Sequence, residues 1–509
     1  MKRTLLIMLI TISCYNTNGQ TKSDLISTIE IGKNLIANKV ITATEYNFLD
    51  NIYQADMDTT SKCLTIQLRG ITKNGKNYKN KGEVLVFDLK TKKIKWQKEI
   101  DFQQTGLEQY ENILFHTGPV NTVLMDMETG KSKWSTDRTI HATLPAINIS
   151  LGYKYNTSYN LDGINLTTGK TIWKRSIDKS YGWNGLLNLN DTAVIIKACG
   201  LHQINLKTGK GWDYEAHTGK KDYSKSVGLN IAGAALGLLT GTYVVSLGHD
   251  LLSNLVSNLV VDSGSYYYAS KDYIVRLNKN GKILWKGALP KETGTTKISV
   301  KDSTVYLINY GTADYNGKVI NYGKSYLSAF DCRTGYQKYL TAIELKDNPI
   351  ESYIFNMDTL NLIFKDQVIS YSLTNGSLLN TRIFDIHKFG SIKYTVNENN
   401  IFLQVDSVFK SLHAIDQKAF YVMSTNNEIY KLNPSFELSE SISLDSIYSE
   451  TFETDQFKLI HRKNQTVVLD KNNRRIGELN LGRKLYKVDS KLYGFTDTSI
   501  IEVDLDQLK

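Results

Sequence analysis

The sequence predicts an all-β fold, a β-propeller of eight blades, with seven or nine as the neighbouring counts, carrying one apolar insertion of helical character. Three observations lead there: a recurring unit of about forty residues, a turn signature at a fixed place in each unit, and a strand-forming composition. A chain of 509 residues exceeds what one hydrophobic core usually serves, so it divides into domains or repeats one unit. Hydrophobic residues make up 41%, while only 5 prolines and 35 glycines exclude collagen-like or disordered composition. The 31 tyrosines suit half-buried strands better than helices.

Residues 1–20 read as an export signal. Lys2 and Arg3 give the positive end and Leu5 to Ile12 an apolar run too short to span a bilayer. Two endings compete. Thr17-Asn18-Gly19 is a small-x-small cleavage site, whereas Thr11-Ile12-Ser13-Cys14 resembles a lipobox, in which Cys14 would be acylated and tether the protein without a spanning helix. The mature chain, residues 21–509, is then expected in the periplasm or at the outer membrane of a bacterium, lipid-anchored in the second case.

The formal charge is +10, and Lys2 and Arg3 contribute two of it. The remaining basic residues are scattered, which argues against nucleic acid as a partner. Cys63, Cys199 and Cys332 are far apart and form no CxxC, so neither a zinc site nor a disulfide framework is expected. The eight histidines, among them His116, His202, His249 and His413, show no HExxH spacing.

The repeat is seen by aligning Leu85 to Trp96 with Leu124 to Trp134, Ile164 to Trp173 and Ile204 to Trp212. Its anchors Asp88, Asp126, Asn165 and Asn205 are 38, 39 and 40 residues apart. Each copy is an apolar strand, a turn opened by Asp or Asn, a Thr-Gly pair in most copies, and a strand starting near an aromatic. The acid or amide bonds back to the turn backbone, and glycine takes the positive φ. The tryptophan is read as an inter-blade packing residue. Looser copies follow at Asn280-Gly281 with Trp285, Asp331 to Gly335 with Tyr339, Ser372 to Gly376, Ile429 to Leu432, and Leu469-Asp470. An early strand around Val40 to Phe48 and the last, Ile500 to Leu505, are expected to share a blade and close the ring.

The run apolar-x-apolar-Asp-x-x-Thr-Gly-Lys-x-x-Trp resembles the quinoprotein-type, or PQQ-like, propeller repeat, most specifically in residues 85–96, 124–134 and 161–173. That resemblance implies one of two roles. Some relatives are dehydrogenases holding pyrroloquinoline quinone and calcium on the propeller axis. Others bind no cofactor and act as scaffolds, among them the propeller lipoprotein of the outer-membrane β-barrel assembly machinery. The dehydrogenases typically carry adjacent cysteines, and this chain has none. Gly130-Lys131-Ser132 and Gly169-Lys170-Thr171 are not phosphate loops, because Met125 and Ile164 stand where the earlier glycine is required. No catalytic, cofactor-binding or metal residues are therefore expected, and no cofactor.

One segment breaks the repeat. Residues 214–260 delay the next blade, and Ser226 to Gly248 carry no charge. Gly233, Gly237 and Gly241 lie at four-residue spacing with Leu236, Leu239 and Tyr243 nearby, a helix-association pattern in an apolar stretch. A single crossing of a membrane would split the ring across it, so the segment packs on its own propeller as a helical hairpin, docks on a partner or membrane surface, or, as the remaining alternative, spans and returns with Leu251 to Val261. A second insertion, 310–325, reads as an extended hairpin with Tyr310, Tyr315 and Tyr322. The function expected is a non-catalytic envelope scaffold that binds protein partners, in outer-membrane protein assembly by analogy. A ligand- or carbohydrate-binding propeller is the alternative, and a quinone-dependent dehydrogenase the second.

Overall fold

The computed structural model describes residues 26–216 and 252–508, with interruptions of at most eight residues. The chain is built from antiparallel strands, and among the described residues the only α-helical element is the single turn Ile386–Phe389. Ten antiparallel units follow one another, the first eight as separate four-stranded sheets and the last two within one larger sheet: residues 51–101, 106–136, 139–176, 186–215, 260–288, 296–342, 352–383, 392–443, 449–479 and 485–504. We call these blades 1 to 10. The tenth takes its fourth strand, Lys39–Asn47, from the start of the chain.

The eight blades expected are not confirmed by these ten units. From residue 392 onward the turns lack Thr-Gly, which is why the sequence marks those blades poorly. In blade 9 the turn opened by Asp470 survives because Asn473 accepts the left-handed conformation, φ +59°.

Burial follows position in the blade. Second strands such as Ser265–Ala269 and Thr304–Asn309 are buried throughout, whereas the fourth strand Leu378–Ile383 is exposed throughout. A strand covered on both faces by neighbouring blades reads as a continuous apolar run, and an outer strand need not. Cores form between consecutive blades. Leu114 and Met125 of blade 2 pack on Val84 and Ile100 of blade 1, and Leu161 and Trp173 of blade 3 pack on Val194 and Ile204 of blade 4. Blade 10 closes on blade 1 through Tyr493, Phe495 and Ile500 against Ile52, Leu64 and Phe87.

The closure is also hydrogen-bonded. Lys39–Asn47 pairs with Ser499–Asp504, in the register Thr44 to Glu502 and Tyr46 to Ile500. Ile26–Asn34 then bridges two blades, pairing with Lys39–Asn47 on one side and with Arg475–Leu479 of blade 9 on the other. Gly32 permits the second contact, since a Cβ there would meet the Glu478 carbonyl oxygen at 1.9 Å. The outer edges of blades 9 and 10 are thus sewn into one nine-stranded sheet.

Candidate functional site

The repeat residues are consumed by architecture. Asp126 Oδ1 accepts the N–H groups of Glu128 and Thr129, both at 2.8 Å, and Asp331 Oδ1 accepts those of Arg333 and Thr334 at 3.0 and 2.8 Å. The Thr334 N–H and hydroxyl hold the Asp331 carboxyl below its usual range. Asp88 accepts from Lys90 and Thr91 in the same way. Each tryptophan of the repeat then latches onto the following blade. Trp96, Trp134, Trp173, Trp212 and Trp285 donate Nε1–H to the carbonyls of Met127, Leu166, Leu206, Lys279 and Cys332. Tyr339 does so with its hydroxyl, to Leu373. The indole also lies against the next turn's glycine: a Cβ on Gly209, at φ +70°, would sit 2.7 Å from Trp173.

The latch is not universal: the same position is Asn380 in blade 7 and Gly477 in blade 9, and the seam between blades 10 and 1 departs from it in a third way. Trp173 pairs across its blade with Gly163, two residues before the turn residue Asn165, and Trp285 pairs with Arg276, two before Asn278. In blade 10 the same register sets Thr44 opposite Glu502, two before Asp504, so threonine stands in the tryptophan position. On the receiving turn Lys92, at φ +58°, stands where Gly130, Gly169 and Gly209 stand elsewhere. Lys92 Nζ reaches Glu502 across the seam, Lys491 pairs with the other carboxylate oxygen, and the Tyr46 hydroxyl donates to Glu502 at 3.0 Å. Lys92 also lies over the rings of Tyr46 and Tyr493. Burial pushes the Glu502 carboxyl up, but the two lysines and the tyrosine outweigh it and hold it below the usual range. Burial, with repulsion from Lys491, lowers Lys92 despite its partner. Beside this cluster lies a cleft of about 350 Å³ lined by Lys62, Lys90, Lys92, Asp489, Lys491 and Tyr493, among others.

The insertions meet at the opposite end of the blades. In a four-stranded meander the turn between strands two and three and the crossing to the next blade share one end, and the other two turns share the other. The 214–260 insertion is a crossing, from blade 4 to blade 5, and 310–325 is a two-to-three turn in blade 6. They pair with each other: Leu252 and Ser253 face Tyr315 and Asp314, and Thr312–Tyr315 pairs with Lys318–Asn321 as a hairpin. Leu255, Val256, Ala313 and Tyr322 anchor this small sheet in the core between blades 4 and 5. Tyr322 is therefore a packing residue rather than an exposed one, while Val319 is 72% exposed. The described end of the first insertion is extended, not helical, because Leu252 and Ser253 satisfy their backbone on the hairpin and Val256 bridges Ser270. Gly233, Leu236, Gly237, Leu239, Gly241 and Tyr243 lie outside the described residues, as does Cys14.

At the foot of the first insertion His202 and Asp213 face each other across adjacent strands, with Nδ1 2.7 Å from Oδ1 and Glu215 Oε1 4.0 Å from the same nitrogen. These three are the residues, among those described, whose donor atoms are grouped closely enough to hold a metal ion. Arg175 already binds Asp213 at 2.6 Å, so that oxygen serves a charged network rather than an open ligand position. The sequence did not reveal the group, since an alternating strand pattern says which face a residue takes but not its cross-strand partner. Cys63 and Cys199 are buried free thiols, and burial pushes the Cys199 thiol far up.

Four-stranded antiparallel blades joined by tryptophan-on-glycine latches define a β-propeller of the PQQ-like repeat class. Residues 73–232 match the family described as outer membrane protein assembly factor BamB. Solved structures similar to the chain include BamB from Moraxella catarrhalis, at 11% identity over 72% of this chain and 96% of that one, TM-score 0.31. The quinohemoprotein alcohol dehydrogenase from Comamonas testosteroni matches at 12% identity over 70% of this chain and 73% of that one, TM-score 0.32. Sqt1 from Saccharomyces cerevisiae matches at 10% over 79% and 98%, TM-score 0.32. No curated protein matches the chain. Among the described residues no helix is long and apolar enough to cross a membrane.

Proposed function

We propose that the protein is a non-catalytic scaffold of the bacterial envelope that binds protein partners through the face carrying its two insertions. One observation carries this reading. Segments that leave the ring at different blades, 4 and 6, come together as one sheet, Leu252 and Ser253 pairing with Tyr315 and Asp314. Additions with no part in the blades thus converge on a single face, as a purpose-built binding surface requires. The described residues that flank the uncharged stretch 226–248, Ala216 and Leu252–Ser253, lie on that face. The docking residues we assign are Gly233, Leu236, Gly237, Leu239, Gly241 and Tyr243, with contact to the membrane surface as a second use, and Cys14 as the lipid-bearing residue. The family matched over residues 73–232 supports a scaffold, and the repeat aspartates, bound into turns, leave no acid of the repeat available for chemistry.

The test compares the intact protein with one lacking residues 226–248, each isolated from detergent-solubilised envelopes, after circular dichroism has shown that the shortened ring folds. Loss of a specific co-purifying protein supports the reading. The same partners at the same yield would remove the insertion from function.

A further inference from the structure

We infer that the seam between blades 10 and 1 holds a binding site for a phosphate-bearing group, in the cleft lined by Lys62, Lys90, Lys92 and Lys491. This lies on the end opposite the insertions, because its residues come from the first and third turns of blade 1 and the first turn of blade 10. It is independent of the scaffold reading.

Five junctions hold an indole and one a phenol between the blade that supplies it and the next turn. At the seam, Thr44 and Lys92 replace the tryptophan and the glycine, and a cleft of about 350 Å³ opens beside them. That volume suits a small ligand. Four lysines line it with a single lining carboxylate, Asp489, which pairs with Lys62, while Glu502, shared by Lys92 and Lys491, and Asp88 lie behind the lining. Positive charge is in excess along the lining, and Lys90 makes no ion pair among the described residues. Lys62 and Lys92 are only 28% and 27% exposed, so part of their hydration is already lost and an added anion would meet less competition from water. Ammonium groups converging from several directions act as point charges suited to a compact dianion, whereas planar two-point recognition of a carboxylate would call for arginine. The Tyr493 ring adds an apolar wall for the rest of the molecule.

The same chemistry has two sources, a soluble phosphorylated molecule or a lipid headgroup, and the experiment separates them. The full chain is titrated calorimetrically with pyrophosphate and with glucose 6-phosphate, and separately mixed with phosphatidylglycerol vesicles in a sedimentation assay. The comparison proteins are Lys90→Gln and Lys62→Gln/Lys90→Gln, whose folding is checked by circular dichroism and melting. Lys90 is an exposed turn residue, so the single variant keeps the test available if the double variant does not fold. We expect saturable binding weakened roughly tenfold or more by the double substitution and severalfold by Lys90→Gln. Heat with the soluble phosphates identifies a soluble ligand, and sensitivity confined to the vesicles identifies a headgroup. Binding that is absent from both arms, or unchanged in the folded variants, overturns the site.

Discussion

Lys92 and Glu502 stand at the two positions between which other junctions of this ring clamp an indole, and their side chains meet each other instead. The seam is therefore held partly by charge where the junctions after blades 1 to 5 are held by aromatic packing and an N–H bond. Replacing Glu502 with glutamine leaves Lys92 and Lys491 facing each other without an anion, and should cost about 1–3 kcal/mol of stability in urea unfolding. The pH dependence has a definite sign. Because the folded Glu502 carboxyl is held below its ordinary value, its contribution is present above that ordinary value and is lost as the pH falls through the lowered one. Glu502→Gln should flatten this acid limb, and a variant with an unchanged limb would remove Glu502 from the closure.

At an ordinary junction the sensitive position is the glycine. Gly209→Ala must place a Cβ 2.7 Å from the Trp173 ring while holding φ near +70°. We expect a loss of about 1–3 kcal/mol from strain and displaced packing. Trp173→Ala at the same latch should cost about 3–5 kcal/mol, measured by denaturant titration of the whole chain.

The repeat was legible because its physics is local. A turn that needs an acceptor at its start and a left-handed residue near its end writes Asp or Asn and Gly at fixed spacing, and the indole follows at once. Where another residue meets the same need, as Asn473 does after Asp470, the structure persists and the signature fades. The copies at Ile429 to Leu432 and Leu469-Asp470 are faint in the sequence for that reason. The seam was invisible for a different reason: Tyr46 and Glu502 are 456 residues apart, and nothing in either neighbourhood announces the other. The insertions were found as breaks in the period, but their pairing depends on register between segments that no periodicity links.

A second acid-sensitive point lies in blade 3. His141 packs on Tyr153 and Trp183, and burial, aided by Lys179, brings its imidazole down to about 4. The native state thus excludes a proton that the unfolded chain accepts near its ordinary value of about 6.5. Stability should decline as the pH falls from about 6.5 toward 4, and His141→Phe, which keeps an aromatic ring, should remove that part of the slope. Denaturation curves at several pH values test it; equal slopes in the two proteins would show that His141 titrates alike folded and unfolded.

The inserted sheet can be detached without dismantling a blade. Ala313 is fully buried against the core that includes Leu255, Val256 and Tyr322. Ala313→Arg should expel the hairpin and expose the insertions to limited proteolysis, while global unfolding shifts by only about 1–2 kcal/mol. If cleavage of the insertions is no faster than in the parent, the pairing of Leu252 and Ser253 with the hairpin does not hold them down.

The strand Ile26–Asn34 belongs beside residues 475–479, and Lys39–Asn47 beside 499–504. A chain emerging from its amino end presents these two strands early and must then wait for almost every other residue before either finds its place. Until then the other three strands of blade 10 are missing, and the N-terminal hairpin has no sheet to join. Completion is therefore an all-or-nothing event tied to the carboxyl end, so a nascent or truncated product lacking its last few dozen residues would carry a loose, pairing-competent hairpin recognisable to any quality-control factor that reads exposed strands.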